Sequence, residues 1–378
     1  MFFSRLLNFL FKPRIRYNPL IEVFVFKDVI LKNLRSFQAA YPNLQMAPVL
    51  KSNAYGHGLF EVASILEDEK APFIIVDSFF EALTLRQKGI KQKILVIGYT
   101  TPEQILSKKL QNVSYTIIGI DQLKQTALKL ETPVNFHLKI DTGMHRQGVL
   151  EEEVSRSIQI IKQNKNFVLE GVCTHFAIAH KEGERFTRTQ IEQWRKIVQT
   201  FKKNFSNVKY FHAAATGGLM FASETEANVA RLGVGLYGHD PNNLVKLEPT
   251  LEVRSVISSV KSIKKGEAVG YETSFMAEKD MKIATVPMGY FEGEDIRLSG
   301  KGFLKVKDKF CPIVGRVSMN ITTIDVSILE DVKVGDSVVV ISKKREDRNS
   351  IENINKICGT IPREVWVKIP AHLRRRII

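Results

Sequence analysis

Between about residues 20 and 240 an apolar, β-like run recurs every 20 to 40 residues, each followed by a polar turn and a helix-like stretch. The runs are Met46–Leu50, Phe73–Val76, Ile94–Ile97, Tyr115–Ile118, Val134–Ile140, Leu169–Thr174, Tyr210–Ala213 and Val229–Leu232. Strands buried on both faces read as continuous apolar runs, and their alternation with helices is the pattern of parallel βα units. Eight such units over this length predict a (β/α)8 barrel of the TIM type, of which the eighth is the least regular. After Asp240-Pro241 the texture changes. Strand-like runs at Val253–Val260, Lys282–Val286, Gly302–Val306, Ile321–Val326 and Ser337–Ile341 are separated by turns such as Lys264-Lys265-Gly266. One helix is expected near Ser350–Cys358. The fold class is therefore α/β: a barrel over residues 18–241 and an all-β domain over 242–378. A chain of 378 residues has the length for two such cores.

Composition narrows the class further. Hydrophobic residues make up 44% and charged ones 25%, as in a globular protein, and no stretch is apolar enough to span a membrane. Cys173, Cys311 and Cys358 stand at unrelated spacings, which gives neither a disulfide framework nor a metal-ligand pattern and favours a reducing, cytoplasmic setting. The net charge of +15 points to an anionic ligand, nucleic acid, a membrane surface or simply a solvated basic face. No nucleic-acid motif is present, and the excess is spread over Lys-rich helical stretches. Residues 1–17 stand apart as a basic extension. Phe3, Leu6, Leu7 and Leu10 share one helical face there, so weak contact of residues 1–16 with a membrane surface and packing on the protein body are both open.

The chemistry-bearing residues follow the barrel runs, at the end where this fold places its site. Lys51 closes the first run in Val49-Leu50-Lys51-Ser52-Asn53-Ala54-Tyr55-Gly56-His57-Gly58. A lysine there is a solvated loop residue, or an amine whose pKa burial lowers so that it forms a Schiff base with an aldehyde. After the fifth run comes Lys139-Ile140-Asp141-Thr142-Gly143-Met144-His145-Arg146. After the sixth comes Thr174-His175-Phe176, and at the eighth Arg231-Leu232-Gly233-Val234-Gly235. The second domain carries Val269-Gly270-Tyr271-Glu272, Gly289-Tyr290-Phe291-Glu292-Gly293 and Val317-Ser318-Met319-Asn320.

In this order and at these separations, residues 18 to the C-terminus resemble the alanine racemases. The resemblance implies pyridoxal 5'-phosphate (PLP) as cofactor, a homodimer and interconversion of L- and D-alanine, supplying D-alanine for peptidoglycan. It implies that Lys51 holds PLP and serves one face of the substrate while Tyr271 of the partner subunit serves the other. It also implies that His175 and Arg231 polarise that phenol. It implies an arginine, Arg231, at the pyridine nitrogen, where barrel decarboxylases carry an acid. Tyr55, Thr216, Gly233 and Val234 are implied at the phosphate, and Arg146, Met319 and Tyr290 at the substrate, Arg146 also meeting the cofactor. Lys139 corresponds to a lysine that is carbamylated in many relatives. Departures from the family pattern are Ala215, Leu232, Phe291, Glu292, Asn320 and Arg363, the last standing where a phosphate-binding tyrosine is usual. Other readings are a racemase of broader substrate range, a decarboxylase and a non-catalytic PLP carrier. Arg231 speaks against the decarboxylase, and Tyr271 in a second domain speaks against the carrier.

Overall fold

The structure, a computed structural model, describes residues 17–107 and 110–378. The N-terminal block with Phe3, Leu6, Leu7 and Leu10 lies outside them. All eight barrel runs are strands: Gln45–Pro48, Ile74–Val76, Ile94–Val96, Val113–Ile117, Val134–Lys139, Phe167–Cys173, Tyr210–His212 and Val229–Leu232. The six from Ile74–Val76 to Tyr210–His212 pair in parallel in chain order. The first and eighth pair with each other, Gln45 opposite Val229. Single bridges from Val49 to Ile75 and from Ala215 to Arg231 close the ring.

Helices cover the outside because their apolar residues recur on one stripe. Glu184–Asn204 buries Thr187, Ile191, Trp194, Ile197, Val198 and Phe201, a spacing of three to four residues. Trp194, fully buried, donates its ring N–H to the Thr225 carbonyl at 2.8 Å, so its one polar atom is satisfied.

The second domain is built on a six-stranded sheet in the order Lys309–Pro312, Phe303–Val306, Ser337–Ile341, Leu251–Val256, Glu22–Val25, Arg374–Ile377. Glu22–Val25 therefore joins this sheet, although it precedes the barrel in the chain and falls in the stretch assigned to the barrel by sequence. It runs antiparallel to Leu251–Val256 and parallel to Arg374–Ile377. The run expected as one strand over Val253–Val260 is two. Leu251–Val256 stays in the large sheet, while Ser259–Ile263 joins Met281–Val286 and Thr322–Asp325 in a second one. The chain crosses at Ile257-Ser258, whose N–H groups donate to Asp336 O at 2.9 Å and Thr285 O at 2.8 Å.

The expected helix is present at Ile351–Cys358, and a further short one, Pro362–Val367, follows it. An ion network ties that second helix to residues 295–297. Arg297 grips Asp295 at 2.9 and 2.7 Å and reaches Glu364 at 2.7 Å. Lys368 bonds the same two acids at 2.7 and 2.9 Å.

Candidate active site

Lys51 leaves the first barrel strand into a turn of unusual hand. Ser52, Asn53, Ala54 and Tyr55 have φ of 57°, 55°, 50° and 52°, all left-handed and none of them glycine. Each such residue costs about 1–2 kcal/mol, so the run exists only because its surroundings hold it. The Asn53 N–H donates to Glu81 Oε1 at 3.2 Å, and Asn53 Oδ1 accepts from the Leu59 N–H at 2.8 Å. Gly56 then ends the run at φ +82°, where a methyl group would lie 2.0 Å from the Trp366 carbonyl oxygen. The turn leaves Lys51 half-buried with Nζ 3.8 Å from Asp77 Oδ1. It aims the Tyr55 hydroxyl at the eighth-strand loop, 3.0 Å from where a Cβ on Gly233 would sit. Burial raises the Tyr55 phenol's pKa, and the nearby Arg363 guanidinium opposes that rise. Arg363 itself is exposed on helix Pro362–Val367.

The loop after the eighth strand turns at once into a helical winding, Leu236 N–H to Gly233 O at 3.0 Å and Tyr237 N–H to Val234 O at 3.2 Å. The N–H groups of Gly233 and Gly235 both donate to Thr216 Oγ1 at 3.2 Å. The Val234 N–H has no partner among the described residues. The Tyr55 and Thr216 hydroxyls thus both lie at Gly233, beside the Val234 N–H, and the Arg363 guanidinium is near enough for its charge to act on the Tyr55 phenol. That donor set suits a phosphate dianion at a helical N-terminus.

Arg231 is the hub of the barrel mouth. It is buried, and its guanidinium donates to His212 Nδ1 at 2.8 Å, His175 Nδ1 at 3.0 Å and the carbonyls of His212, Ala213 and Thr174 at 2.6 to 2.8 Å. A guanidinium only donates, so both histidines accept at Nδ1 and carry their hydrogen on Nε2. The His212 Nε2–H then donates to His137 Nδ1 at 2.8 Å, and the hydrogen on His137 Nε2 has no partner. All three rings are kept neutral. Burial depresses His175 and His212 well below the usual range, Arg231 adding to it, and takes His137 to about 3 with Lys93 and Arg231 adding. The charges of Arg146, Lys139 and Lys51 also bear on His175, which marks the point where these cations converge. Lys139 is lowered by burial, against the pull of Cys173 and with the push of Arg146 and Arg231.

Arg146 stands on a loop built by Asp141. Asp141 Oδ1 accepts the N–H groups of Gly143 at 2.9 Å and His145 at 3.0 Å, and Oδ2 accepts that of Arg146 at 3.2 Å. Burial would raise this carboxyl, and the backbone donors outweigh it and hold it low. The loop leaves Arg146 exposed at the rim.

The second-domain residues are placed differently. Tyr290 and Met319 lie side by side: Tyr290 N–H donates to Ser318 O at 3.1 Å and Phe291 N–H to Met319 O at 2.9 Å. Glu292 Oε1 accepts from Asn320 Nδ2 at 2.6 Å, and Glu292 Oε2 accepts from the Gly289 N–H at 2.9 Å. Two of the departures from the family pattern are therefore each other's partners. Tyr271 is 68% exposed on a turn that Glu272 passes at φ +61°. Among the described residues, none of Tyr271, Tyr290 and Met319 bonds to Lys51, His175 or Arg231. Within one chain the structure gathers the barrel residues and leaves these three facing outward.

Sequence reasoning gave no role to His212, His137, Asp141, Glu81 and Asp77. Asp141 carried a readable signal, an Asp two residues before a Gly, which favours a turn organised by the carboxylate. The others are single polar residues beside apolar runs and carry none.

A closed barrel with a lysine at one strand end, a buried arginine at another and a separate β domain defines a class of two-domain barrel enzyme. The particular family follows from comparison with known proteins. The model of the alanine racemase N-terminal domain matches residues 26–241, and that of the C-terminal domain matches residues 250–377. Alanine racemase 1 of Caldanaerobacter subterraneus is 33% identical over 363 residues, 94% of this chain and 94% of the relative. The alanine racemase of Lactobacillus acidophilus is 35% identical over 86% of this chain and 88% of its own length. Among solved structures, that of Clostridium difficile 630 superposes with a TM-score of 0.88 at 28% identity, covering 96% of this chain and 97% of that one. That of Bacillus anthracis with bound L-Ala-P gives 0.88 at 27% identity, covering 96% of each. The chain belongs to the alanine racemase family.

Proposed function

We propose that this chain interconverts L- and D-alanine as a PLP-dependent homodimer and supplies D-alanine for cell-wall precursors. The observation that carries the proposal is the buried Arg231 hub bonded to a neutral His175, at a barrel mouth that also presents Lys51. Relatives named alanine racemase that align over nearly the whole chain support it.

Lys51 would hold the aldehyde of PLP, with Tyr55, Thr216, Val234 and Arg363 at its phosphate and Arg231 at its ring nitrogen. Bound there, the cofactor supplies the electron sink that makes an α-proton removable. The protein must supply two acid–bases, because racemisation takes a proton from one face and returns one to the other. The Lys51 amine serves one face. Tyr271 of the partner subunit serves the other. A phenol ordinarily titrates near pH ~10, so it needs help to ionise. His175 is suited to give it: its Nδ1 is occupied by Arg231, its ring is neutral, and its Nε2–H is a donor that favours a phenolate. Arg146 and the partner subunit's Met319 and Tyr290 would orient the substrate carboxylate. Neutral amine, the form that burial favours at Lys139, is also the form that takes up carbon dioxide, which supports its carbamylation.

Incubating the purified, PLP-supplemented protein with L-alanine should yield D-alanine, with other L-amino acids converted more slowly. Lys51→Ala should lose both borohydride-trapped cofactor and turnover. A Lys51→Ala protein that traps PLP and racemises normally would overturn the assignment.

A further inference from the structure

Three successive arginines, Arg374, Arg375 and Arg376, stand near the C-terminus, and the strand Arg374–Ile377 gives them different surroundings. Arg374 lies 3.9 Å from the Glu22 carboxylate, and Arg376 lies over the Phe24 ring, 5.9 Å from its centroid. Both are exposed, and both do what basic edge residues ordinarily do. Arg375 points the other way. No carboxylate lies within ion-pair distance of it among the described residues. Its guanidinium donates only to main-chain carbonyls: Gly56 at 2.8 and 3.3 Å, Ile369 at 3.1 Å, Leu373 at 2.7 Å and Pro370 at 2.5 Å.

Three of those carbonyls belong to the same C-terminal segment. The fourth does not. Gly56 lies in the barrel and ends the left-handed run Ser52–Tyr55 that follows Lys51. Helix Pro362–Val367 already presses on this glycine through the Trp366 carbonyl, and Arg375 Cγ lies 3.2 Å from where a Cβ on Gly58 would sit. From the barrel side, Glu81 takes the Asn53 N–H. The strained run is thus held at its start by a carboxylate of the barrel and at its end by a guanidinium of the second domain. A planar fork of donors can gather several carbonyls at fixed angles, which an ammonium cannot.

We infer that Arg375 is a positioning residue for the reaction: through the Gly56 carbonyl it holds the left-handed turn that sets the Lys51 amine and the Tyr55 hydroxyl. The role in the reaction rests on the function proposed above, whereas the hold on the turn does not. The second domain so acts on the barrel of its own chain, apart from any residue it lends to a partner.

The test compares Arg375→Ala and Arg375→Lys with Arg374→Ala, a change on the same strand that does not touch Gly56. Hydrogen–deuterium exchange on the full-length protein, with and without PLP, reads the turn directly. Amides in a peptide spanning residues 52–58 should exchange at least tenfold faster in Arg375→Ala, with barrel strands and Arg374→Ala unchanged. The rate of borohydride-trappable PLP uptake by apo-protein should fall by a similar factor. The value of kcat should drop more than KM rises, and millimolar guanidinium should restore part of the uptake rate to Arg375→Ala only. Arg375→Lys keeps the charge and loses the fork, so it should show the same effects in smaller measure, and it decides the matter if Arg375→Ala does not fold. Exchange and PLP uptake equal to the unaltered protein in a folded Arg375 variant would overturn the inference. An unaltered protein that neither takes up PLP nor racemises would instead overturn the proposed function, with exchange at 52–58 still deciding whether Arg375 holds the turn.

Discussion

Glu294→Gln should stabilise the protein, and by an amount that grows with pH. Glu294 is only 3% exposed, and its neighbour Asp295 is ionised and gripped by Arg297 and Lys368. Burial first, and the Asp295 charge second, raise the Glu294 carboxyl from its ordinary 4.5 to about 8. The folded state therefore binds a proton that the unfolded chain releases above about pH 4.5. Stability contributed by that proton is complete below pH 4.5 and is lost as pH rises towards 8. At about 1.4 kcal/mol per pH unit the loss reaches roughly 3 kcal/mol near neutrality and roughly 5 kcal/mol above pH 8, as an upper figure. A glutamine keeps the shape and has no proton to lose. Denaturant midpoints of the two proteins, taken at one protein concentration and one PLP concentration, should nearly coincide near pH 5. By pH 8 Glu294→Gln should be the more stable by about 2–4 kcal/mol. A gap between the proteins that does not change from pH 5 to pH 8 would refute the reasoning, because it would mean that Glu294 is ionised in the folded state.

Mixing inactive Lys51→Ala chains with inactive Tyr271→Phe chains should restore activity, because a heterodimer has one site with both defects and one with neither; verified mixed dimers that stay inactive would place each site within a single chain. Arg363→Ala should weaken PLP binding by about one to two decades, the equivalent of roughly 1.5–3 kcal/mol for a charge-assisted bond. Titration of apo-protein with PLP measures this, Arg363→Tyr should recover most of the loss, and unchanged affinity in Arg363→Ala would show that the side chain serves only solvent.

The barrel was legible because strands buried on both faces leave uninterrupted apolar runs, and all eight reappear within a few residues of the expected bounds. Lys51 and His175 stand just past the ends of those runs and Arg231 inside the last, and the family resemblance singled them out. What surrounds these residues was not legible. Lys51-Ser52-Asn53-Ala54-Tyr55 contains no glycine, so nothing local announces a left-handed turn; contacts from Glu81 and the C-terminal segment impose it. His212, inside Tyr210–His212, reads as one polar residue in a core strand, and only the closed barrel brings it to Arg231. Glu292 and Asn320 each looked like a loss against the family pattern, yet folding makes them a hydrogen-bonded pair. The pairing of Arg374–Ile377 with Glu22–Val25 was not legible, because a strand's partner along the chain cannot be inferred from its own composition.

That last pairing bears on how the molecule is made. Among the described residues Glu22–Val25 is the first strand to be synthesised and Arg374–Ile377 the last, yet they lie side by side in one sheet. The barrel between them has all its strands well before Arg374–Ile377 is made, whereas the larger sheet of the second domain cannot be finished without that strand. Pairings so distant in sequence form slowly, and domains otherwise tend to fold in order from the N-terminus. Until the closing strand arrives, one flank of Glu22–Val25 is a bare row of amides and carbonyls, the kind of edge at which nascent chains join one another. A chain without Arg374–Ile377 would keep that flank open for the life of the protein.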